Sequence, residues 1–152
     1  MNQTGVNIVL ADDDDDDCLF FKDALGDIHF SGCLKTVSNG EDLMILLQQN
    51  SILPDVVFLD LNMPLKNGFE CLAEIRNMKQ FNDLKIIIFS TANDLETIQT
   101  LYERGANYFI QKPSSFSQLK NVLDQALDRL LETKVEIPVG QDDFVIRPVN
   151  GF

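Results

Sequence analysis

Cationic side chains are scarce in this sequence. Lys and Arg together number 12 against 24 Asp and Glu, giving a formal net charge of −12 and a sequence pI of about 4.3. A surface of that sign repels nucleic-acid phosphates and anionic membranes, so neither is expected as a direct partner. A cation, or a protein with a basic patch, suits it better. Cysteine is sparse as well. Cys18, Cys33 and Cys71 are odd in number and form no CxxC pair, which reads as reduced thiols of a cytosolic protein. No apolar stretch approaches the roughly 18 residues of a membrane span. The opening MNQTGVNIVL lacks the basic, apolar and cleavage segments of a signal peptide. The expected location is therefore the cytoplasm. Histidine occurs once, as His29 near a helix–strand connection, and reads as a surface residue rather than a phosphodonor or a ligand.

What the chain has is a core and a rhythm. Its 152 residues, 45% of them apolar, suit one globular domain. Short apolar runs recur at Val6–Ala11, Leu34–Val37, Asp55–Leu59, Lys85–Phe89 and Ala106–Ile110. Runs this short and this rich in β-branched residues suit strands buried on both faces of a parallel sheet. Between them stand helix signals. Ser38 with Glu41, Asn67 with Glu70, Asn93 with Glu96 and Ser115 with Gln118 all have capping-box spacing. In the last of these segments Phe116, Leu119, Leu123, Ala126, Leu127 and Leu130 share one helical face. A first helix is expected to start inside the aspartate run and to end near Gly26. Five β-α units predict an α/β, flavodoxin-like doubly wound sheet of five parallel strands in the order 2-1-3-4-5, with five helices.

Such folds bind ligands beyond the carboxyl ends of the strands. The first strand is followed by DDDDDD at 12–17, the third by Asp60, the fourth by Ser90 and Thr91, the fifth by Lys112 and Pro113. Asp12, Asp13 and Asp60 would therefore share one pocket. Close carboxylate pairs repel by roughly 1–4 kcal/mol at effective dielectrics of about 80 to 20. Such a cluster calls for a cation, and oxygen ligands favour a hard one such as Mg²⁺. Lys112 supplies a positive point charge and Ser90 a hydroxyl. A carboxylate nucleophile, a metal, a lysine and a hydroxyl together suit phosphoryl transfer. Asp14 to Asp17 read as a charged loop and first helical turn, where negative charge meets the helix dipole.

The set DDDDDD, FLDLNMP at 58–64, FSTA at 89–92 and QKP at 111–113 resembles the receiver domain of two-component response regulators, in order and in spacing. The resemblance spans about residues 5–131. It implies that Asp60 accepts phosphate and that Asp13 binds Mg²⁺ directly while Asp12 assists through water. It also implies that the backbone carbonyl of Asn62 is a further metal ligand, that Ser90 bonds the acyl phosphate, and that Lys112 pairs first with Asp60 and then with the phosphoryl oxygens. The Lys112–Pro113 bond is expected to be cis. Phe109 falls at the aromatic switch position, where many family members carry Tyr. Thr91 is a weaker candidate than Ser90.

The resemblance implies a signalling protein rather than an enzyme. A sensor histidine kinase or a histidine phosphotransfer protein would phosphorylate Asp60, and the face built by Asn93–Leu101 and Gly105–Phe109 would then meet a downstream protein target. Homodimerisation is left open. Residues 132–152 hold two prolines and two glycines and are expected to run extended or flexible, with no output domain. Two alternatives stand beside this reading. One is an adaptor that binds partners without phosphorylation. The other is a Mg²⁺-dependent aspartyl-phosphate phosphohydrolase. Against the second, Asn62 stands where such enzymes often carry an acid/base Asp.

Overall fold

Hydrophobic side chains along the first strand point alternately to two sides, and this divides the core. In the computed structural model, which describes residues 5–28, 30–49, 51–132 and 143–149 (131 and 132 by backbone alone), that strand is β1, Val6–Ala11. It is followed by α1 (Asp15–Asp27), β2 (Gly32–Val37), α2 (Gly40–Gln49), β3 (Val56–Leu59), α3 (Gly68–Arg76), β4 (Lys85–Ser90), α4 (Leu95–Glu103), β5 (Tyr108–Gln111) and α5 (Phe116–Glu132). A short 3₁₀ turn, Lys79–Phe81, precedes β4. His29, and residues 133–142 and 150–152 of the tail, lie outside the described residues.

The strands form one parallel sheet in the order β2-β1-β3-β4-β5. Val9, Ala11, Val57, Leu59, Ile86, Ile88 and Phe109 pack on one side with Leu43, Leu47, Leu72, Ile75 and Leu101 of α2, α3 and α4. Ile8, Leu10, Val56, Phe58, Ile87, Phe89 and Ile110 pack on the other with Phe21, Leu25, Leu123 and Ala126 of α1 and α5. The middle strands are apolar on both faces because helices cover both. The β2 strand has no buried residue and forms one edge of the sheet. No helix among the described residues is long and apolar enough to cross a membrane.

Helix starts follow local side-chain chemistry. Asp14 caps α1 by accepting from the Asp17 N–H at 3.0 Å, so the helix begins within the aspartate run. Asn67 and Glu70 make a reciprocal capping box on α3. Ser115 Oγ accepts from the Gln118 N–H at the start of α5. Two starts are one residue later than expected. Asn39, not Ser38, accepts from the Asp42 N–H, and Asp94, not Asn93, caps α4 through the Thr97 N–H. In each case the adjacent polar side chain serves as well.

At the far edge of the sheet, Phe144 and Ile146 of the tail straddle β5. The Phe109 N–H donates to the Phe144 carbonyl at 2.9 Å, and the Ile146 N–H donates to the Phe109 carbonyl at 2.8 Å, a parallel bridge centred on Val145. Phe144 is buried in the layer of α4, with its ring 5.3 Å from that of Tyr102, and Ile146 in the layer of α5. The α5 side chains hold the segment down. Arg129 donates to the Asp143 carbonyl, Gln125 to the Arg147 carbonyl, and Asn121 accepts from the Val149 N–H. The β5 edge within the expected partner face is therefore covered by residues 143–149. An edge strand with unmet N–H and C=O groups invites such pairing.

Candidate functional site

The sheet carries its hydrogen bonding one residue beyond several strands, and this fixes the site backbone. Asp12 donates to the Val37 carbonyl at 3.0 Å, Asp60 to that of Ala11 at 2.9 Å, and Lys112 to that of Ser90 at 2.8 Å. Asp12, Asp13 and Asp60 then each bring a carboxylate oxygen into one group, all within 4.8 Å of one another. Asp12 is 1% exposed and Asp60 6%, while Asp13 is open to solvent. Behind Asp60, Gly68 packs so closely that a Cβ there would lie 2.3 Å from the Asp60 carbonyl oxygen. Only glycine lets the β3–α3 loop close in this way.

Lys112 enters the group from the end of β5. Its Nζ lies 2.8 Å from Asp12 Oδ2, 2.7 Å from Asp17 Oδ2 and 3.2 Å from Asp60 Oδ2. The contacts with Asp17 and Asp60 are hydrogen bonds. That with Asp12 is short but poorly directed, and Asp12 Oδ2 is buried without a hydrogen-bond donor among the described residues. The other oxygen of Asp12 accepts from the Asp14 N–H at 3.0 Å, and Asp60 Oδ1 from the Leu61 N–H at 2.8 Å. Burial pushes the Asp12 carboxyl up to about 6, with the Asp60 charge adding and Lys112 and the Asp14 N–H opposing. Burial pulls the Lys112 ammonium down, but Asp12, Asp17 and Asp60 outweigh it and hold the group above its usual range.

This donor set fits a divalent cation. The ligand atoms are all oxygens, as a hard ion prefers. Asp12 Oδ2 is buried with no directed hydrogen bond, although Lys112 Nζ lies 2.8 Å from it, and the exposed Asp13 leaves a side open to water. Two surface hollows of about 410 and 360 Å³ lie elsewhere, and neither is lined by Asp12, Asp13, Asp60 or Lys112.

Ser90 is fully buried at the end of β4, where its Oγ accepts from the Ala92 N–H at 3.2 Å. Thr91 beside it is exposed, and so is Asn62, two residues after Asp60. Phe109 is fully buried and already faces inward, into the layer of α3 and α4. The expected cis Lys112–Pro113 bond is not found. Every peptide bond among the described residues is trans, the form a prolyl amide favours by about 0.5–1 kcal/mol.

Asp17 is more than part of a solvated helix start: the structure places it on Lys112. Helical spacing was the available signal. Asp17 stands four residues after Asp13, one turn on, and helix side chains lean toward the N-terminus. Here that direction leads to the strand ends. Asp15 and Asp16 face away and are exposed.

A family model for the response regulator receiver domain matches residues 8–124. The chain belongs to the response regulator receiver family. This receiver is 33% identical to the probable C4-dicarboxylate response regulator DctR of Bacillus subtilis, over 77% of the chain and 59% of that protein. A protein described in the same words from Halalkalibacterium halodurans is also 33% identical, over 70% of the chain and 45% of that protein. The receiver thus spans about half the length of these relatives. Among solved structures, the phosphorylated cyanobacterial phytochrome response regulator RcpA is 28% identical with a TM-score of 0.78, covering 87% of this chain and 98% of that one. The Mn²⁺-bound form of response regulator Rcp1 shares the fold at 24% identity and a TM-score of 0.72, over 88% and 99% of the two chains. A phosphorylation switch and an acidic pocket for Mg²⁺ or Mn²⁺ are general to the family.

Proposed function

We propose that this receiver is switched by phosphorylation of Asp60, with Mg²⁺ held by Asp12, Asp13, Asp60 and the Asn62 carbonyl. The observation that carries this is the convergence of the Asp12, Asp13 and Asp60 oxygens within 4.8 Å, with Lys112 3.2 Å from Asp60. When bound, the cation offsets negative charge on the carboxylates and on an incoming phosphoryl group. Asp60 supplies the nucleophile. One of its oxygens bonds to phosphorus as the donor's bond to phosphorus breaks, and the electron pair leaves with the donor. Lys112 keeps its proton and stabilises the phosphoryl oxygens as a cation. Ser90 gives up the Ala92 N–H to donate its hydroxyl to the new group.

The donor is a phosphohistidine on a sensor kinase or a phosphotransfer protein. A phosphoryl group adds about −1.5 to −2 charge at pH 7 at a point already crowded with carboxylates. Movement of Ser90 toward it vacates space at the end of β4, and Phe109 on the neighbouring strand β5 responds to that space. The output is a changed protein-binding face made by α4, α5 and the tail segment on β5. Such a change is a shift between two populations, so a partner must prefer one of them.

Intact-mass measurement tests this reading. With Mg²⁺ and acetyl phosphate the chain should gain one phosphoryl group, and Asp60→Asn should gain none. A Mg²⁺-binding chain that takes no phosphate from any donor would be an adaptor instead. Rapid turnover of external phosphate esters would make it a phosphohydrolase.

A further inference from the structure

We propose that Asp17 is a positioning residue that holds the Lys112 ammonium toward α1 and thereby slows phosphorylation of Asp60. The inference rests on Asp60 being the acceptor. An ammonium has three donors and no acceptor. Lys112 commits one to Asp17 at 2.7 Å and one to Asp60 at the longer 3.2 Å. The shorter distance is that of a strong charge-assisted bond. The Asp17 backbone is fixed in the first turn of α1 by its N–H bond to Asp14 Oδ1.

What distinguishes Asp17 from the other two partners of Lys112 is its place outside the metal-binding group. Asp12 and Asp60 belong to the set whose oxygens converge, and Asp17 does not. A divalent cation held by Asp12, Asp13 and Asp60 would offset the charge of Asp12 and Asp60 and so weaken their hold on Lys112. The pull of Asp17 is left in place. A phosphoryl group arriving on Asp60 must then draw Nζ away from α1. In that step the Asp60 oxygen–phosphorus bond forms, the phosphorus–oxygen bond of acetyl phosphate breaks, and acetate leaves with the electron pair. Lys112 gains and loses no proton. The Asp17 side chain is 38% exposed, so solvent screens the competition and the expected effect is modest.

The test is a double-mutant cycle on the rate of adduct formation, followed by intact mass with acetyl phosphate at saturating Mg²⁺. Asp17→Asn should raise the rate about threefold or more, within the range of coupling between contacting residues. Asp16→Asn, which removes the same charge from a side chain that does not reach Lys112, should leave it nearly unchanged. In a Lys112→Gln background, Asp17→Asn should have no effect, which a purely structural or bulk-charge role would not produce. If Lys112→Gln forms too little adduct to measure, the comparison with Asp16→Asn decides. An unchanged or lower rate in Asp17→Asn, or an equal gain in Asp16→Asn, overturns the proposal while leaving Asp60 as the acceptor. A wild-type chain that takes no phosphate overturns the acceptor reading and this one together.

Discussion

The backbone of Phe109 is bonded on both sides of one residue to the tail: its N–H donates to the Phe144 carbonyl at 2.9 Å, and its carbonyl accepts from the Ile146 N–H. The aromatic expected to act in the switch is thus tied to a segment more than thirty positions away in sequence. Truncating Phe144 removes a fully buried ring that contacts Tyr102. Phe144→Ala is expected to loosen this segment first, because its ties are to a strand edge and to one helix. Amide hydrogen exchange reads this directly. The Phe109 N–H should exchange at least about tenfold faster, which corresponds to about 1.4 kcal/mol. The Ile88 N–H, deep in the sheet, should keep its protection. Equal protection of Phe109 in the variant would show that the bridge does not hold it.

Asp12 gives the metal-free receiver a pH signature. Its carboxyl stands at about 6 in the folded chain against an ordinary 3.8. The folded state therefore holds this proton more tightly than the unfolded state does. Its contribution to stability is greatest below about pH 4, falls as pH rises, and is lost above about pH 6. In chelator, Asp12→Asn should flatten that fall and unfold at higher urea than the wild type at pH 7.5. Added Mg²⁺ should stabilise the wild type, by about 2.7 kcal/mol at a hundredfold excess over its Kd. Asp13→Ala should lose that gain and Mg²⁺-dependent phosphorylation with it, while Asp16→Ala keeps both nearly intact. Urea titrations with and without the metal give the comparison.

Gly68 and Gly26 should respond oppositely to the same substitution. A Cβ at Gly68 would meet the Asp60 carbonyl oxygen at 2.3 Å and Leu61 Cα at 2.8 Å, and both are backbone. Gly68→Ala is expected to cost about 1–3 kcal/mol as the loop gives way. It should also slow phosphorylation, because the backbone that moves carries Asp60. Nothing lies within 4 Å of a Cβ at Gly26. That residue is within α1, so Gly26→Ala should stabilise the chain by about 0.5–1 kcal/mol. Denaturant midpoints and adduct rates for the two variants check this.

The three thiols should separate cleanly. Cys71 is fully buried, and burial pushes its thiol up to about 11, with Glu74 and Glu70 adding and Lys66 opposing. Burial does the same to Cys18, helped by Asp12, Asp15 and Asp17. At pH 8 either is a thiolate only about one part in a thousand, and the thiolate is the reactive form. Cys33 is exposed on the edge strand β2. Iodoacetamide at pH 8 should therefore add one group quickly, Cys33→Ser should remove that fast reaction, and urea should open the other two.

Much of this architecture is legible because its signals are local. Runs such as VVFL and KIIIFS need no distant partner to read as buried strands, and β-α alternation then leaves few topologies. The carboxylates and Lys112 follow from the rule that such sites lie at strand ends. Elsewhere the deciding contact is remote in sequence. The last strand starts at Tyr108 rather than Ala106. The Asn107 side chain instead accepts from the Ile86 N–H and from Arg76, whose guanidinium also reaches the Gly105 and Phe81 carbonyls. Asp17 resembles its neighbours in an unbroken run, and only Lys112, just past the end of β5, sets it apart. The stretch FVIRPV at 144–149 reads as extended, and what its own residues do not show is that the edge of β5 sets its register.

Asp60, among so many aspartates, is proposed as the one that takes the phosphoryl group. Borohydride reduces an aspartyl phosphate to homoserine, so brief treatment with acetyl phosphate and Mg²⁺, then reduction and peptide mass spectrometry, marks the acceptor. Homoserine is expected at position 60 and none at positions 12–17. Homoserine at Asp12 or Asp13, or an unmarked Asp60 in a chain that has gained phosphate, would contradict it.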